Sequence, residues 1–273
     1  MKEVRDDAHG EAPLPLHYRT VGDSGDWVLL LHGLFGAGDN LGALARALAD
    51  GFRVVQVDLR NHGRSPHSAA MTFAAMAADI ALLQDTLGIG SSHVVGHSLG
   101  GRVAMQLALH HAARVRRLVV ADIAPVAYAP HHTQILAGLE GLDLATVSSR
   151  GGADAQLAQS IPELAVRQFL LKSLYQVSGG NVDAGKWRWR FNLPALRACY
   201  ADITVAQDGA PFAGPTLFVR GGLSDYILPA YESIIQRLFP HCAIETIAGA
   251  GHWLHGEKPA EFNRLVREFL AKK

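Results

Sequence analysis

The chain has 273 residues, of which 49% are hydrophobic and 18% are charged, so it can bury a sizeable core. Because 25 Lys and Arg balance 25 Asp and Glu, the formal net charge is zero, and no basic run indicates a nucleic-acid partner. Residues 1–15 lack the apolar segment of a signal peptide, and no apolar run approaches a membrane span. Cys199 and Cys242 have neither metal nor redox spacing, so we expect free thiols and a cytoplasmic location.

Strand-like and helix-like segments alternate through the first part of the chain. The run at 52–60 is nearly continuously apolar, as a strand buried on both faces requires. The segment 72–87 has apolar residues at helical spacing, with Thr72 as its cap. The predicted elements in order are strands at 16–22 and 27–33, a short helix from Asn40, a strand at 52–60, a helix at 72–87, a strand at 93–95, a helix at 102–110 and a strand at 116–125.

The alternation stops between Pro125 and about Phe212 and then resumes. The intervening stretch is helical in pattern and too apolar to be disordered, so it predicts an inserted helical cap. A strand at 215–222, a helix around 229–239, a strand at 243–249 and a helix at 259–270 complete the chain. We therefore predict an α/β fold with a mainly parallel, doubly wound sheet, formed by residues 1–125 and 213–273, and a cap at 126–212.

The join between the strand at 93–95 and the following helix has the sequence Gly96-His97-Ser98-Leu99-Gly100, which fits G-x-S-x-G. A serine in so sharp a strand-to-helix turn projects its hydroxyl above the sheet. Glycines two residues to either side avoid a collision of Cβ atoms with the opposite limb of the turn. The strand before the motif and the helix after it favour a nucleophilic Ser98 over an idle serine in a tight turn.

A serine nucleophile needs a base, an acid that orients the base, and donors for the oxyanion. His252 follows the last strand in Gly249-Ala250-Gly251-His252-Trp253, in the order Ser…Asp…His that this fold class uses. Asp122 and Asp225 both stand at the carboxyl ends of strands, and either could orient His252. The oxyanion donors are predicted to be the backbone N–H groups of Leu99 and Leu34, with Phe35 as the alternative to Leu34.

Other patterns have less specific interpretations. The adjacent pairs His110-His111 and His131-His132 lack the spacing of a zinc site, and the glycines of 33–38 fit no nucleotide motif, so neither a metal nor a cofactor is expected. Two residues are candidate substrate contacts: Phe35, beside the predicted oxyanion donor Leu34, and Trp253, beside the predicted base His252. Trp187 and Trp189 are further candidates, although packing within the cap is the favoured alternative for both.

Five segments together resemble the α/β-hydrolase superfamily and, within it, the small bacterial YbfF-type esterases: LLLHGLFGAGDNLGALARAL, VVQVDLRNHGRSP, VVGHSLGG, VVADIAPVAY and IAGAGHWLHGEKP. The resemblance covers nearly the whole chain. It implies a cofactor-free serine hydrolase with a helical cap that acts on short-chain esters and acyl thioesters. The YbfF-type pattern favours Asp122 as the acid, with Ser224 hydrogen-bonded to it. Most of the superfamily carries its acid after the strand that precedes Asp225.

The predicted function is hydrolysis of small carboxylic esters, and of acyl thioesters, through an acyl-enzyme intermediate. Haloalkane dehalogenases and epoxide hydrolases of this fold have an aspartate nucleophile, so Ser98 argues against both. Two alternatives stay open: a hydrolase-fold receptor with little turnover, and a perhydrolase similar to the cofactor-free haloperoxidases. The sequence leaves the oligomeric state open and indicates only a small-molecule partner.

Overall fold

The computed structural model describes residues 12–178 and 185–272, and its elements follow the predicted order closely. Residues 1–11 of the predicted core and 179–184 of the predicted cap lie outside the described residues. The strands are β1 Tyr18–Val21, β2 Asp26–Leu31, β3 Phe52–Val57, β4 Ser92–His97, β5 Val115–Ala121, β6 Leu174–Gln176, β7 Trp187–Trp189, β8 Thr216–Gly221 and β9 Cys242–Ile247. The α-helices are α1 Gly42–Leu48, α2 Phe73–Thr86, α3 Leu99–His110, α4 Thr133–Gly141, α5 Arg150–Leu157, α6 Leu164–Leu171, α7 Leu193–Ala198, α8 Glu232–Leu238, α9 Leu254–Glu257 and α10 Pro259–Leu270.

Seven strands form one sheet in the order β1-β3-β2-β4-β5-β8-β9. Only β1 is antiparallel to its neighbour; the other pairs in this sheet are parallel. Side chains of α2 and α3 pack on one face of the sheet, and those of α1 and α10 pack on the other. Because both faces are covered, the central strands are mostly apolar, as the sequence of β3 predicts. The predicted doubly wound α/β fold is confirmed.

The strand order places a cleft between the carboxyl ends of β2 and β4. From β2 the chain crosses to β3 on one side, whereas β4 pairs with β2 on the other side. Such a reversal separates the two following loops and opens a crevice for a ligand. The loop after β2 contains the predicted oxyanion donor Leu34, and the turn after β4 contains Ser98.

Helix α2 shows how local sequence specifies these elements. The Thr72 hydroxyl accepts a hydrogen bond from the N–H of Ala75, which satisfies a donor that the helix leaves unpaired. Met76, Ile80 and Leu83 recur at helical spacing, and all three are buried against the sheet. The predicted cap residue and buried face of this helix are thus confirmed.

Residues 126–212 are less uniformly helical than the sequence pattern predicts. They contain α4, α5, α6 and α7, but also a two-stranded antiparallel sheet of β6 and β7. Leu174 pairs with Trp189, and Gln176 pairs with Trp187. The structure thus adds a short sheet to the helical pattern that the sequence predicts, and the period-two alternation of the Trp187–Trp189 run is typical of a strand.

Among residues 12–178 and 185–272, no helix combines the length and the apolar character that crossing a membrane requires.

Candidate active site

Ser98 stands at the turn between β4 and α3 in a strained backbone conformation. Its φ is 52° and its ψ is −117°, outside the regions that a residue with a side chain prefers. The Ser98 N–H donates to the carbonyl oxygen of Ala121 at 3.0 Å, and the Ser98 carbonyl accepts from the N–H of Arg102 in the first turn of α3. These two bonds fix the turn between the sheet and the helix, so the strain persists.

Two glycines make this turn possible, for different reasons. A Cβ on Gly96 would lie 2.2 Å from the carbonyl oxygen of Gly100, on the opposite limb of the turn, as the sequence analysis anticipates. A Cβ on Gly100 would instead lie 2.2 Å from the carbonyl oxygen of Leu31 at the end of β2. Gly100 is therefore required by the neighbouring strand rather than by the other limb of the turn.

The structure brings His252, Asp122 and Ser224 together. His252 Nδ1 lies 2.8 Å from Asp122 Oδ2, and the Ser224 hydroxyl donates to the same oxygen at 2.5 Å. The other oxygen, Oδ1, accepts from the N–H of Gly221 at 2.9 Å. A carboxylate can only accept, so His252 carries its proton on Nδ1, and the lone pair stays on Nε2.

Asp122 is fully buried, whereas Asp225 is exposed to solvent. The N–H of Asp122 donates to the carbonyl oxygen of Val219 in β8, at 2.8 Å, which holds the residue at the end of β5 with a positive φ of 52°. Asp225 forms no hydrogen bond with His252 in the described part of the chain. Of the two candidate acids, only Asp122 contacts the imidazole.

Aromatic side chains surround His252. The ring of Tyr226 stacks on the imidazole with centroids 4.1 Å apart, and the ring of His97 lies 4.8 Å from it on a tilted plane. His97 Nε2 donates to the carbonyl oxygen of His252 at 2.8 Å, which ties the loop after β9 to the turn that carries Ser98. Burial lowers the pKa of His97 well below its usual value, and the nearby His255 and His252 lower it further. The residue next to Ser98 is thus a neutral positioning group.

The loop after β2 is held by two buried histidines. The N–H of Phe35 donates to His62 Nε2 at 3.1 Å, and the N–H of Leu59 donates to His32 Nε2 at 3.0 Å. Both rings use Nδ1 to donate to carbonyl oxygens, His62 to Arg60 and His32 to Gly33. Burial lowers the pKa of His62 to about 3 and also lowers that of His32, so both rings are neutral at pH 7 and can accept at Nε2.

This arrangement distinguishes the two candidate donors of the loop. The N–H of Phe35 is occupied by His62, whereas the N–H of Leu34 has no partner among residues 12–178 and 185–272. The N–H of Leu99, in the first turn of α3, is likewise unpaired in that part of the chain. Leu34 and Leu99 both line a cavity that Ser98 also lines.

Two cavities meet at Ser98. The Arg102 cavity has a volume of about 40 Å³, and its lining includes Ser98, Leu99, Arg102, Tyr128, Tyr200 and Thr204. The His252 cavity has a volume of about 250 Å³, and its lining includes Ser98, Phe35, Phe169, Tyr226, His252 and Trp253. Ser98 and His252 therefore share one cavity, although the Ser98 hydroxyl forms no hydrogen bond within the described residues. Contacts between nucleophile and base are often long in free enzymes and shorten when substrate binds.

The candidate substrate contacts divide into two groups. Phe35 and Trp253 line the His252 cavity, and Trp253 packs against Phe169 with ring centroids 5.4 Å apart. Trp187 and Trp189 line neither cavity; Trp189 is buried and stacks on Phe191 at 5.0 Å. Packing within the segment 126–212, which the sequence favours for both tryptophans, agrees with the stacking of Trp189 on Phe191.

Several side chains that line the cavities were not predicted as site residues from the sequence. Tyr226 and His132 line both cavities, and Arg102 lines the smaller one. The spacing of Arg102, four residues after Ser98 on the same helix, is a signal that could have revealed it, because such residues share a helix face. No group of three or more His, Cys, Asp or Glu that could hold a metal occurs where the structure describes the chain.

Comparison with known proteins identifies the family. A sequence profile described as "alpha/beta hydrolase fold" matches residues 26–259. This chain belongs to the α/β-hydrolase fold family. It is 39% identical over 244 residues to "Esterase YbfF" of Escherichia coli, covering 89% of this chain and 92% of that protein. The resemblance to YbfF-type esterases drawn from the sequence motifs is confirmed.

Two further relatives extend the comparison. The chain is 42% identical over 271 residues to "sn-1-specific diacylglycerol lipase ABHD11" of Mus musculus, covering 95% of this chain and 86% of that protein. A solved structure, "Marine microorganism esterase", superposes with a TM-score of 0.90 at 36% identity and covers 94% of this chain and 99% of that one. These relatives are named for ester hydrolysis, and the predicted hydrolase enzyme is confirmed at that level.

Proposed function

We propose that the chain is a serine carboxylesterase in which Ser98, His252 and Asp122 form the catalytic triad. The observation that carries this proposal is the 2.8 Å contact between His252 Nδ1 and the fully buried Asp122, beside a cavity shared with Ser98. With its Nδ1 proton held by Asp122, the imidazole offers the Nε2 lone pair as a base. His252 accepts the Ser98 proton while Ser98 Oγ attacks the ester carbonyl carbon.

The negative charge that develops on the carbonyl oxygen is stabilised by the N–H groups of Leu34 and Leu99. Both groups lack a partner among the described residues, and both belong to residues that line the cavity beside Ser98. The N-terminus of α3 adds a favourable dipole at the same point. His62 occupies the N–H of Phe35 and holds the loop, which leaves Leu34 as the donor.

The tetrahedral intermediate collapses when His252 protonates the leaving oxygen, and the acyl group stays on Ser98. Water then attacks the acyl-enzyme with His252 as its base, and the acid is released. An acyl thioester follows the same path, with a thiolate as the leaving group. We include acyl thioesters in the substrate class for this reason.

Residues 126–212 act as a cap in this proposal, on a core formed by 1–125 and 213–273. The segment supplies Phe169 and His132 to the His252 cavity, and Tyr200 and Thr204 to the Arg102 cavity. It is also tied to the loop after β2, because the Ser173 hydroxyl donates to the carbonyl oxygen of Phe35 at 2.9 Å. The cap therefore shapes both cavities and helps to hold the oxyanion loop.

The proposal is tested with p-nitrophenyl acetate and a longer series of p-nitrophenyl esters, with Ser98→Ala as the variant. Ser148, an exposed serine far along the chain from the turn, provides the control Ser148→Ala. We expect repeated turnover by the wild-type protein and by the control, and a loss greater than about 10³-fold in Ser98→Ala. Activity of Ser98→Ala close to that of the wild type, with contaminating esterases excluded, would contradict the assignment.

A further inference from the structure

His132 lies where the two cavities meet, beside the reaction centre. Its side chain lines both cavities, as the side chain of Ser98 does. Its ring lies edge-on to Phe35, in the loop after β2, with ring centroids 6.1 Å apart. The ring of Tyr200 lies edge-on to it as well, at 5.8 Å. The proposed mechanism has so far given this imidazole no role.

The contacts of His132 with Tyr200 fix the position of its ring proton. The Tyr200 hydroxyl accepts from the backbone N–H of His132 at 3.1 Å and lies 2.8 Å from Nδ1 of the ring. Among residues 12–178 and 185–272, Nδ1 is the only acceptor in hydrogen-bond contact with that hydroxyl. The hydroxyl therefore donates to Nδ1, and the ring carries its proton on Nε2. His252 is the opposite tautomer, with its proton on Nδ1 and its lone pair on Nε2.

The N–H at Nε2 of His132 is a neutral donor that is available to a substrate. Burial lowers the pKa of His132 to about 4, and the nearby His252 lowers it further, so the ring is uncharged at pH 7. Nδ1 is used by Tyr200, whereas Nε2 forms no hydrogen bond in the part of the chain that the structure describes. A donor that loses its water when substrate enters costs free energy unless the substrate offers it an acceptor.

A simple ester has two acceptor atoms at its reaction centre. In the proposed mechanism the carbonyl oxygen is bound by the N–H groups of Leu34 and Leu99. The other acceptor is the oxygen of the leaving group, which lies beside His252 because His252 protonates it. His132 lines the same cavity as His252 and is close enough for that residue to lower its pKa, in addition to the effect of burial. The donor of His132 therefore matches the leaving oxygen.

We propose that His132 is a further catalytic residue, which donates a hydrogen bond from Nε2 to the oxygen of the leaving group. This inference rests on the proposed function. When the bond between the acyl carbon and this oxygen breaks, the electron pair goes to the oxygen and His252 supplies the proton. His132 keeps its own proton and stabilises the negative charge that develops on the oxygen. Water later attacks from the same position, so the N–H of His132 binds the water oxygen while His252 removes a proton from it.

The test is the dependence of the acylation rate on the leaving group. His132→Phe keeps an aromatic ring at this position and removes the donor, and kcat/KM is measured for ethyl, phenyl and p-nitrophenyl acetate. We expect a loss of about 10-fold to 100-fold for ethyl acetate, the effect of a lost hydrogen bond to a charged group. For p-nitrophenyl acetate we expect a loss below about threefold, because that leaving group spreads its charge over the ring. S-ethyl thioacetate should also lose less than about threefold, because sulfur is a weak acceptor.

Three further variants link this dependence to the donor. His132→Gln restores an N–H donor and should bring the ratio of kcat/KM for ethyl acetate to that for p-nitrophenyl acetate within about threefold of the wild-type ratio. His111→Phe is the matched control and should keep the wild-type ratio, because His111 is exposed and lines neither cavity. A thermal unfolding curve is recorded for each variant. If His132→Phe fails to fold, His132→Met, which also lacks a donor, takes its place.

The outcomes separate this inference from the proposed function. Absence of Ser98-dependent hydrolysis of any ester would overturn the proposed function. Hydrolysis that depends on Ser98, with an equal loss for ethyl and p-nitrophenyl acetate in the variant without a donor, would overturn the His132 inference alone. Such a uniform loss is what a purely structural role, or a contact with the carbonyl oxygen, would produce. Unchanged activity in that variant, or a ratio in His132→Gln as low as in His132→Phe, would overturn the inference as well.

Discussion

Replacing Asp122 by Asn tests the orienting contact, and Asp225→Asn provides the matched control. Both Asp122 oxygens are occupied: Oδ1 accepts from Gly221, and Oδ2 accepts from Ser224 and His252. An Asn side chain has one acceptor oxygen and one NH₂ donor. If its oxygen keeps the Gly221 contact, its NH₂ faces His252 Nδ1. The imidazole then carries its proton on Nε2, where the base needs its lone pair.

The size of the effect follows from that tautomer change. In a serine protease triad, the equivalent substitution leaves the geometry intact and lowers kcat by about 10⁴-fold. We expect a loss of the same order for Asp122→Asn, because its carboxylate is fully buried and no water can replace it. Asp225 is exposed and forms no hydrogen bond with His252 among the described residues, so Asp225→Asn should stay within about twofold of the wild type.

The assay is steady-state hydrolysis of p-nitrophenyl acetate, with a thermal unfolding curve for each variant to exclude loss of fold. A large loss of kcat in Asp225→Asn, together with near-normal kcat in Asp122→Asn, would contradict the proposal that Asp122 orients His252. That result would assign the acid to the loop after β8, the commoner position in the superfamily.

Three further outcomes are expected. Gly96→Ala should lower the free energy of unfolding by about 3 kcal/mol, because its Cβ would lie 2.2 Å from a backbone oxygen. Gly256→Ala should be nearly neutral, because a Cβ there would have no neighbour within 4 Å. Equal unfolding midpoints of the two variants in urea would contradict this prediction. The free energy of unfolding should fall as the pH decreases from about 6.5 towards 4. The reason is that His62 has a pKa lowered to about 3 in the folded protein, so in this range it binds a proton only in the unfolded chain. His62→Gln should therefore reduce the slope of the unfolding free energy against pH by up to about 1.4 kcal/mol per pH unit. Phe169→Ala should enlarge the His252 cavity and so improve the relative activity toward esters of bulky alcohols. Trp187 lies outside both cavities, so Trp187→Ala should leave this selectivity unchanged. Identical selectivity profiles for the two variants would argue against binding of the alcohol group in the His252 cavity.

The sharp turn at Ser98 could be predicted from sequence because its signal is local. The steric need for glycine at Gly96, the apolar strand before the turn and the helix after it all lie within a short segment. The parallel sheet was equally predictable, because strands buried on both faces are nearly continuously apolar and helices alternate between them. The structure confirms each of these fold predictions.

The choice of acid could not be made from the residues alone. Asp122 and Asp225 follow the neighbouring parallel strands β5 and β8, so both are placed at the same edge of the sheet. What distinguishes them is burial and the positive φ of Asp122, which depend on contacts between distant segments. Only the resemblance to YbfF-type esterases favoured Asp122 at that stage.

The remaining differences also have a non-local origin. The pairing of Leu174–Gln176 with Trp187–Trp189 depends on where a second segment returns, and a short apolar run does not reveal that. Arg102 looks like an ordinary helix residue until the chain folds and leaves its charge buried beside Ser98. Tyr226 follows Asp225 in sequence, yet its stacking on His252 depends on the loop after β8 folding back over the site.

The central claim is that Ser98 carries the acyl group during turnover, and peptide mapping of the trapped intermediate tests it most directly. The protein is mixed with excess p-nitrophenyl acetate, quenched in acid within the first turnover, digested and analysed by mass spectrometry. The proposed serine mechanism predicts an acetyl group on the peptide that contains Ser98, and none on that peptide in Ser98→Ala. An acetyl group on another residue that forms and decays at the turnover rate, with Ser98 unmodified, would contradict it.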